Sequence, residues 1–218
     1  MARATTPPPP TLVLLVRHGQ TPTTGKVLPG RAPGLHLADT GQRQAETVAD
    51  RIASLQTDKR KVAAVYASPL ERTQETAAPI SRALGLRTRR NTGLLEADFG
   101  EWTGAQLKAL YKLPEWRTVQ RNPSGFRFPG GESFTEMQTR ICGALQKLCV
   151  AHPGDTIVAV SHADPIKAAV AQAMGTHLDL FQRIVVSPCS VSAILYGIDG
   201  PIVLAVNSTA DLRALAPS

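Results

Sequence analysis

Aromatic side chains make up only 5% of this 218-residue chain, and charged ones only 19%. With 43% hydrophobic residues, the core has to be built from Val, Leu, Ile and Ala. Cysteine is scarce: Cys142, Cys149 and Cys189 are an odd count without metal-ligand spacing. They read as core thiols in a reducing, cytoplasmic setting rather than as a disulfide framework. No apolar run approaches the ~18 residues that a membrane span needs. The opening MARATTPPPP has no apolar signal region, so residues 1–10 read as a disordered or polyproline-like tail before a single domain over 11–218.

The charge is lopsided, +7 with an isoelectric point near 9.7. Its only dense clusters are Lys59-Arg60-Lys61 and Arg87 to Arg90, both flanking predicted strands. No nucleic-acid motif accompanies them, which argues against a nucleic-acid partner. A basic balance also suits a small anionic substrate, because a positive cleft raises its local concentration.

What the chain does have is an alternation of strand and helix patterns. Buried strands are expected over 12–17, 62–67 and 156–160, with a short one over 86–89. Helices are expected over 40–55, from Pro69 to 84, 105–111, 132–150 and 164–174, with Thr40 as an N-cap and Gly85 as a stop. The Pro- and Gly-rich stretch 112–131 reads as irregular, and 105–131 as an excursion that caps a substrate. Residues 191–196 and 202–206 flank Gly-Ile-Asp-Gly-Pro and predict a closing antiparallel hairpin. The expected fold class is α/β, a three-layer α/β/α arrangement around a mostly parallel mixed sheet. The hairpin offers an edge through which two copies could pair as a homodimer.

Four segments sit just past strands or in the loops that follow, where open α/β sheets build their sites. They are LVRHGQTPTTG at 15–25, SPLERTQETA at 68–77, LEADFGEWTG at 95–104 and VSHA at 160–163. Arg17 and Arg72 are at the ends of two strands expected to be neighbours and offer bidentate donors to a dianion. His18 or His162 can attack phosphorus and hold it, and Glu96 can protonate a leaving alkoxide. Each residue alone has an ordinary structural reading: Arg72 as a surface arginine beside Glu71 or Glu75, Glu96 as a loop carboxylate, His162 as a core histidine. Their conjunction points to phosphoryl transfer.

These segments, with LADTGQRQA at 37–45 and PGGES at 129–133, resemble the histidine phosphatase superfamily, the phosphoglycerate mutase-like group (branch 1). The resemblance runs from residue 12 to about 207. It implies a phosphoglycerate mutase-like fold, His18 as the phosphorylated nucleophile and Glu96 as the proton donor. It further implies that Arg17, Arg72 and His162 form the phosphate pocket, and that no metal takes part. Gln20, Thr21, Thr24, Arg31 and Ala163 are candidate substrate contacts. Two positions depart from the family pattern. Thr24 stands where many members have Asn, and Ala163-Asp164 where many have Gly-Gly or Gly-x. Asp164 is expected to turn away, engage a cation or shape substrate choice, and Ser161 to orient His162.

The segment from Glu96 to His162 is short beside that of the glycolytic mutases, which predicts a site open to water. A metal-independent phosphomonoester hydrolase acting on a small phosphorylated metabolite is therefore the favoured function, with no cofactor. The alternative is a phosphomutase, for which 2,3-bisphosphoglycerate would serve as primer. A metal hydrolase with His18, His162 and Glu96 as ligands leaves Arg17 and Arg72 unexplained. A decayed phosphate-binding module is the non-enzymatic alternative. Specificity is expected from the loop 20–36 and the excursion, where Trp102 and Trp116 are either ligand contacts or a small core.

Overall fold

The computed structural model describes residues 7–57 and 61–210. Residues 1–6 of the expected tail, Lys59 and Arg60 of the first basic cluster, and residues 211–218 lie outside the described residues. Six strands form one mixed sheet: β1 (Thr11–Arg17), β2 (Val62–Ala67), β3 (Thr88–Arg90), β4 (Thr156–Ser161), β5 (Val191–Gly197) and β6 (Gly200–Ser208). Their order is β3-β2-β4-β1-β5-β6. The β3, β2, β4 and β1 strands are parallel neighbours, while β5 runs antiparallel to both β1 and β6. The mixed α/β sheet and its closing hairpin follow the sequence pattern. The expected adjacency of β1 and β2 does not hold, because β4 lies between them.

The parallel strands read as continuous apolar runs because both faces are covered. In β1, Leu12, Leu14 and Val16 face one cluster with α1 (Asp39–Ala53) and α2 (Glu71–Leu84). Val13 and Leu15 face the other, with α5 (Phe134–Ala151) and α6 (Ala163–Ala173). The α1 helix buries Ala45, Val48, Ala49 and Ile52, a spacing of three and four residues that keeps one face inward. Its N-cap is Ala38, without a side-chain cap, so Thr40 sits inside the first turn rather than capping it. Gly85 ends α2 in the left-handed region, as expected. Ser133 and Glu136 close a capping box at the start of α5.

The stretch 112–131 is more ordered than its prolines suggested. After the four-residue α3 (Leu107–Leu110), Pro114 occupies the first turn of α4 (Pro114–Arg121), where a missing N–H costs nothing. Trp102 is buried, with Trp116 stacked at 6.3 Å and Phe126 and Phe128 at 5.5 Å. The two tryptophans are thus core residues of the excursion. Cys142 and Cys149 are half-buried against the same core, and burial pushes each thiol up to about 11. Among the described residues, no helix is long and apolar enough to cross a membrane.

The loop after β1 is pressed against the start of α1. A Cβ on Gly41 would stand 2.1 Å from the Gln20 carbonyl oxygen, and one on Gly19 would stand 2.5 Å from that of Gly41. Both obstacles are backbone atoms and cannot rotate away. Gly41→Ala is therefore expected to lower stability by about 1–3 kcal/mol, read by chemical denaturation. A variant as stable as the parent would show that the helix can retreat from the loop.

Candidate active site

Parallel register brings the chemistry together. Arg17 pairs with Ser161, so His18 and His162 follow at the same edge, with ring centroids 5.2 Å apart. On the other side of β4, Ala67 pairs with Val160, and the Ser68 N–H donates to the Val160 carbonyl at 3.0 Å. The Ser68 hydroxyl then meets His162 Nε2 at 2.9 Å. Ser68, and not Ser161, therefore orients His162. The Ser161 hydroxyl instead donates to the Leu94 carbonyl at 2.7 Å and ties β4 to the loop that carries Glu96.

His18 is 6% exposed, and its Nδ1 lies 2.7 Å from the Gly19 carbonyl. A carbonyl only accepts, so Nδ1 carries the proton and the lone pair rests on Nε2. Burial, followed by the charges of Arg72 and Arg17, lowers the His18 pKa to about 3. The imidazole is thus neutral near pH 7. His162 is pushed well below the usual histidine range, by burial first and then by Arg72.

Two arginines supply the positive charge. Arg72 is 0% exposed; Nη2 donates to the Gly30 carbonyl at 2.8 Å, while Nε and Nη1 have no protein partner. Arg17 donates from Nη1 to the Val186 carbonyl at 2.7 Å and likewise leaves Nε unpartnered. His162 Nδ1 is a fourth buried polar atom without a partner. Buried polar groups nearly always find a partner, so the arginine nitrogens beside His18 are placed to donate to an anion.

Glu96 has the opposite character. It is 7% exposed, and its carboxyl is pushed up to about 7, by burial first and then by Asp164, against the pull of Arg72. Its backbone carbonyl accepts from Arg31 Nε at 2.8 Å and Arg140 Nη2 at 3.3 Å. Arg140 also donates to the carbonyls of Gly93 and Leu95. Glu132 accepts from both arginines, at 3.0 Å from Arg31 and 2.8 Å from Arg140. Arg31 thus holds the Glu96 loop instead of facing the cavity. The Arg140–Glu132 pair was not singled out from the sequence, although Glu132 falls in the PGGES segment and Arg140 breaks the apolar face of α5 beside Ile141.

A cavity of about 380 Å³ opens here, with Arg17, His18, Thr21, Thr24, Glu96 and Ala163 in its lining; Arg72 and His162, both 0% exposed, are not part of that lining. Gln20 is not in that lining; its N–H donates to the Gln44 side chain at 2.9 Å. The Thr24 hydroxyl accepts from the Thr21 N–H at 2.9 Å, closing a turn at the cavity wall. Asp164 does engage a cation, since Lys167 Nζ stands 3.2 Å from it. Among the described residues, no group of three His, Cys, Asp or Glu side chains is placed to hold a metal ion.

The profile of the histidine phosphatase superfamily (branch 1) matches residues 13–209, and the chain belongs to that superfamily. A bifunctional protein of Mycobacterium tuberculosis is 33% identical over 194 residues, 88% of this chain and 52% of that protein. The chain therefore spans about half the length of that relative. Phosphoserine phosphatase 1 of Hydrogenobacter thermophilus is 30% identical over 205 residues, 92% of this chain and 93% of the relative. The mycobacterial glucosyl-3-phosphoglycerate phosphatase shares the fold, with a TM-score of 0.79 at 21% identity over 91% of this chain and 99% of the other.

A carbon-13 titration of the Glu96 side chain is expected to have its midpoint near 7. Removing a negative neighbour makes ionisation easier, so Asp164→Asn should lower that midpoint. A midpoint in the ordinary carboxylate range in the parent protein would overturn this electrostatic account.

Proposed function

We propose that this chain hydrolyses phosphomonoesters of small metabolites without a metal ion, through a phosphohistidine on His18. The observation that carries the reading is one buried cluster that combines a neutral imidazole, two incompletely partnered arginines and a carboxyl that holds its proton near neutrality. Relatives named as phosphatases, one of them matched over nearly its whole length, support it.

The chemistry then follows from the geometry. A phosphate dianion takes the free donors of Arg17, Arg72 and His162, which neutralises charge already paid for in folding. His18 Nε2 attacks phosphorus as the P–O bond to the alcohol breaks, and the departing oxygen receives the Glu96 proton. Water next attacks the phosphohistidine and the P–N bond breaks. The water proton passes to the Glu96 carboxylate, phosphate leaves, and both groups return to their starting states. Arg17 and Arg72 supply the positive charge that a metal ion would otherwise bring. Thr21, Thr24 and Ala163 shape the phosphate end of the cavity.

The decisive assay is release of phosphate from p-nitrophenyl phosphate in a strong chelator, comparing the parent with His18→Ala. Release is expected in the parent and lost in the variant, with a base-stable, acid-labile phosphoryl group trapped on His18. Conversion of 3-phosphoglycerate to 2-phosphoglycerate given a bisphosphate primer, with no net release, would replace hydrolysis by the mutase reading. Silence in both assays would favour a binding module. Glu96→Gln is expected to slow alkyl phosphates by about 10²–10⁴ and p-nitrophenyl phosphate far less, because a phenolate leaves without a proton. Equal losses on both substrates would remove Glu96 as the proton donor.

A further inference from the structure

Beyond the phosphate site, the same cavity carries an ion pair for which the proposed hydrolysis has no contact with substrate, only the field of Asp164 on Glu96. Asp164 stands in the first turn of α6, and Lys167 follows one turn later. Lys167 Nζ lies 3.2 Å from Asp164 Oδ1 and 3.0 Å from the Gln182 side-chain oxygen. Gln182 belongs to a 3-10 segment, Leu178–Arg183, so the ammonium is gripped from two elements. It also lies 5.9 Å from the centre of the Phe181 ring. The two side chains are only 17% and 18% exposed, and all three residues line the cavity with His18 and Glu96. The rest of that wall is largely apolar, with Val27, Leu28, Leu107 and Ile184. A charged pair held on such a wall is costly to desolvate, and a second pair aligned against it offsets that cost.

We propose that Asp164 and Lys167 recognise the leaving group of the substrate, and that this group is the head of a free amino acid, so that the substrate is an O-phosphorylated amino acid. The proposal rests on the phosphatase reading above. Asp164 takes the α-ammonium and Lys167 takes the α-carboxylate. Their heads are 3.2 Å apart, which suits an ammonium and a carboxylate carried on one carbon. The pair is neutral as a unit, and it matches a leaving group that is neutral as a unit but polar across its width. A carboxylate alone leaves Asp164 facing an unpaired ligand oxygen, and an ammonium alone crowds Lys167. A residue inside a peptide has neither charge and presents only amide groups.

The test compares kcat/KM for O-phosphoserine, 3-phosphoglycerate, phosphoethanolamine, a phosphoserine peptide and p-nitrophenyl phosphate in the parent, Lys167→Met and Asp164→Asn. O-Phosphoserine is expected to lead both single-charge analogues and the peptide by about tenfold or more. Lys167→Met should narrow its lead over phosphoethanolamine, and Asp164→Asn its lead over 3-phosphoglycerate, each by about tenfold. Each lead is read as a ratio, so a change in the rate of the chemical step divides out. Equal rates on 3-phosphoglycerate or the peptide, or ratios that the substitutions leave in place, overturn the proposal. If p-nitrophenyl phosphate and every metabolite are inert to the parent, the phosphatase reading itself falls, and this inference with it.

Discussion

Everything at this site is organised around positive charge placed where water does not reach. Arg72 is wholly buried and spends only one of its nitrogens on the protein. An isolated buried cation is among the most expensive things a fold can contain. Burial, reinforced by Arg72, keeps His18 and His162 neutral, and burial with Asp164 raises the Glu96 carboxyl against the pull of Arg72. The two histidines, Glu96 and the arginines are therefore one electrostatic system. Moving the arginine changes all three.

The sheet keeps that system in place. Three parallel strands end together and deliver Ser68 from β2, His162 from β4 and both Arg17 and His18 from β1. Loops then finish the assembly. The Thr76 hydroxyl accepts from the Gly19 N–H at 3.0 Å and donates to the Arg72 carbonyl at 2.7 Å, coupling the nucleophile loop to the helix that carries the arginine. On the far side, Arg31 and Arg140 share Glu132 and hold the backbone of Glu96. Glu96 thus hangs from a charged brace and His18 from the sheet.

Much of this was legible in the sequence. The strand over 62–67 is where its apolar run placed it, and the residues that follow the strands are the ones the fold gathers. Local signals carry that kind of information well, because an apolar run and a polar stop are read from neighbours. The order of strands is a long-range fact, and nothing beside β1 or β2 announces that β4 lies between them. The same limit assigned the orientation of His162 to adjacent Ser161 when Ser68, 94 residues away, holds it. Pro114 misled for a different reason: proline breaks a helix interior but suits its first turn, and composition alone cannot tell the two positions apart. Arg31 looked like a cation for substrate, and its partners Glu132 and Asp98 became visible only once the chain was folded.

The unpartnered donors of Arg17 and Arg72 have a thermodynamic consequence. Any tetrahedral oxyanion that fills them binds the folded chain and not the unfolded one, so it stabilises the protein by mass action. Folding and occupancy become one equilibrium, and the melting temperature becomes a function of buffer composition. Inorganic phosphate, the final product of hydrolysis, is such an anion. An anion held by this charge is also released against it, so under the proposed hydrolysis phosphate would compete with the ester for the same donors.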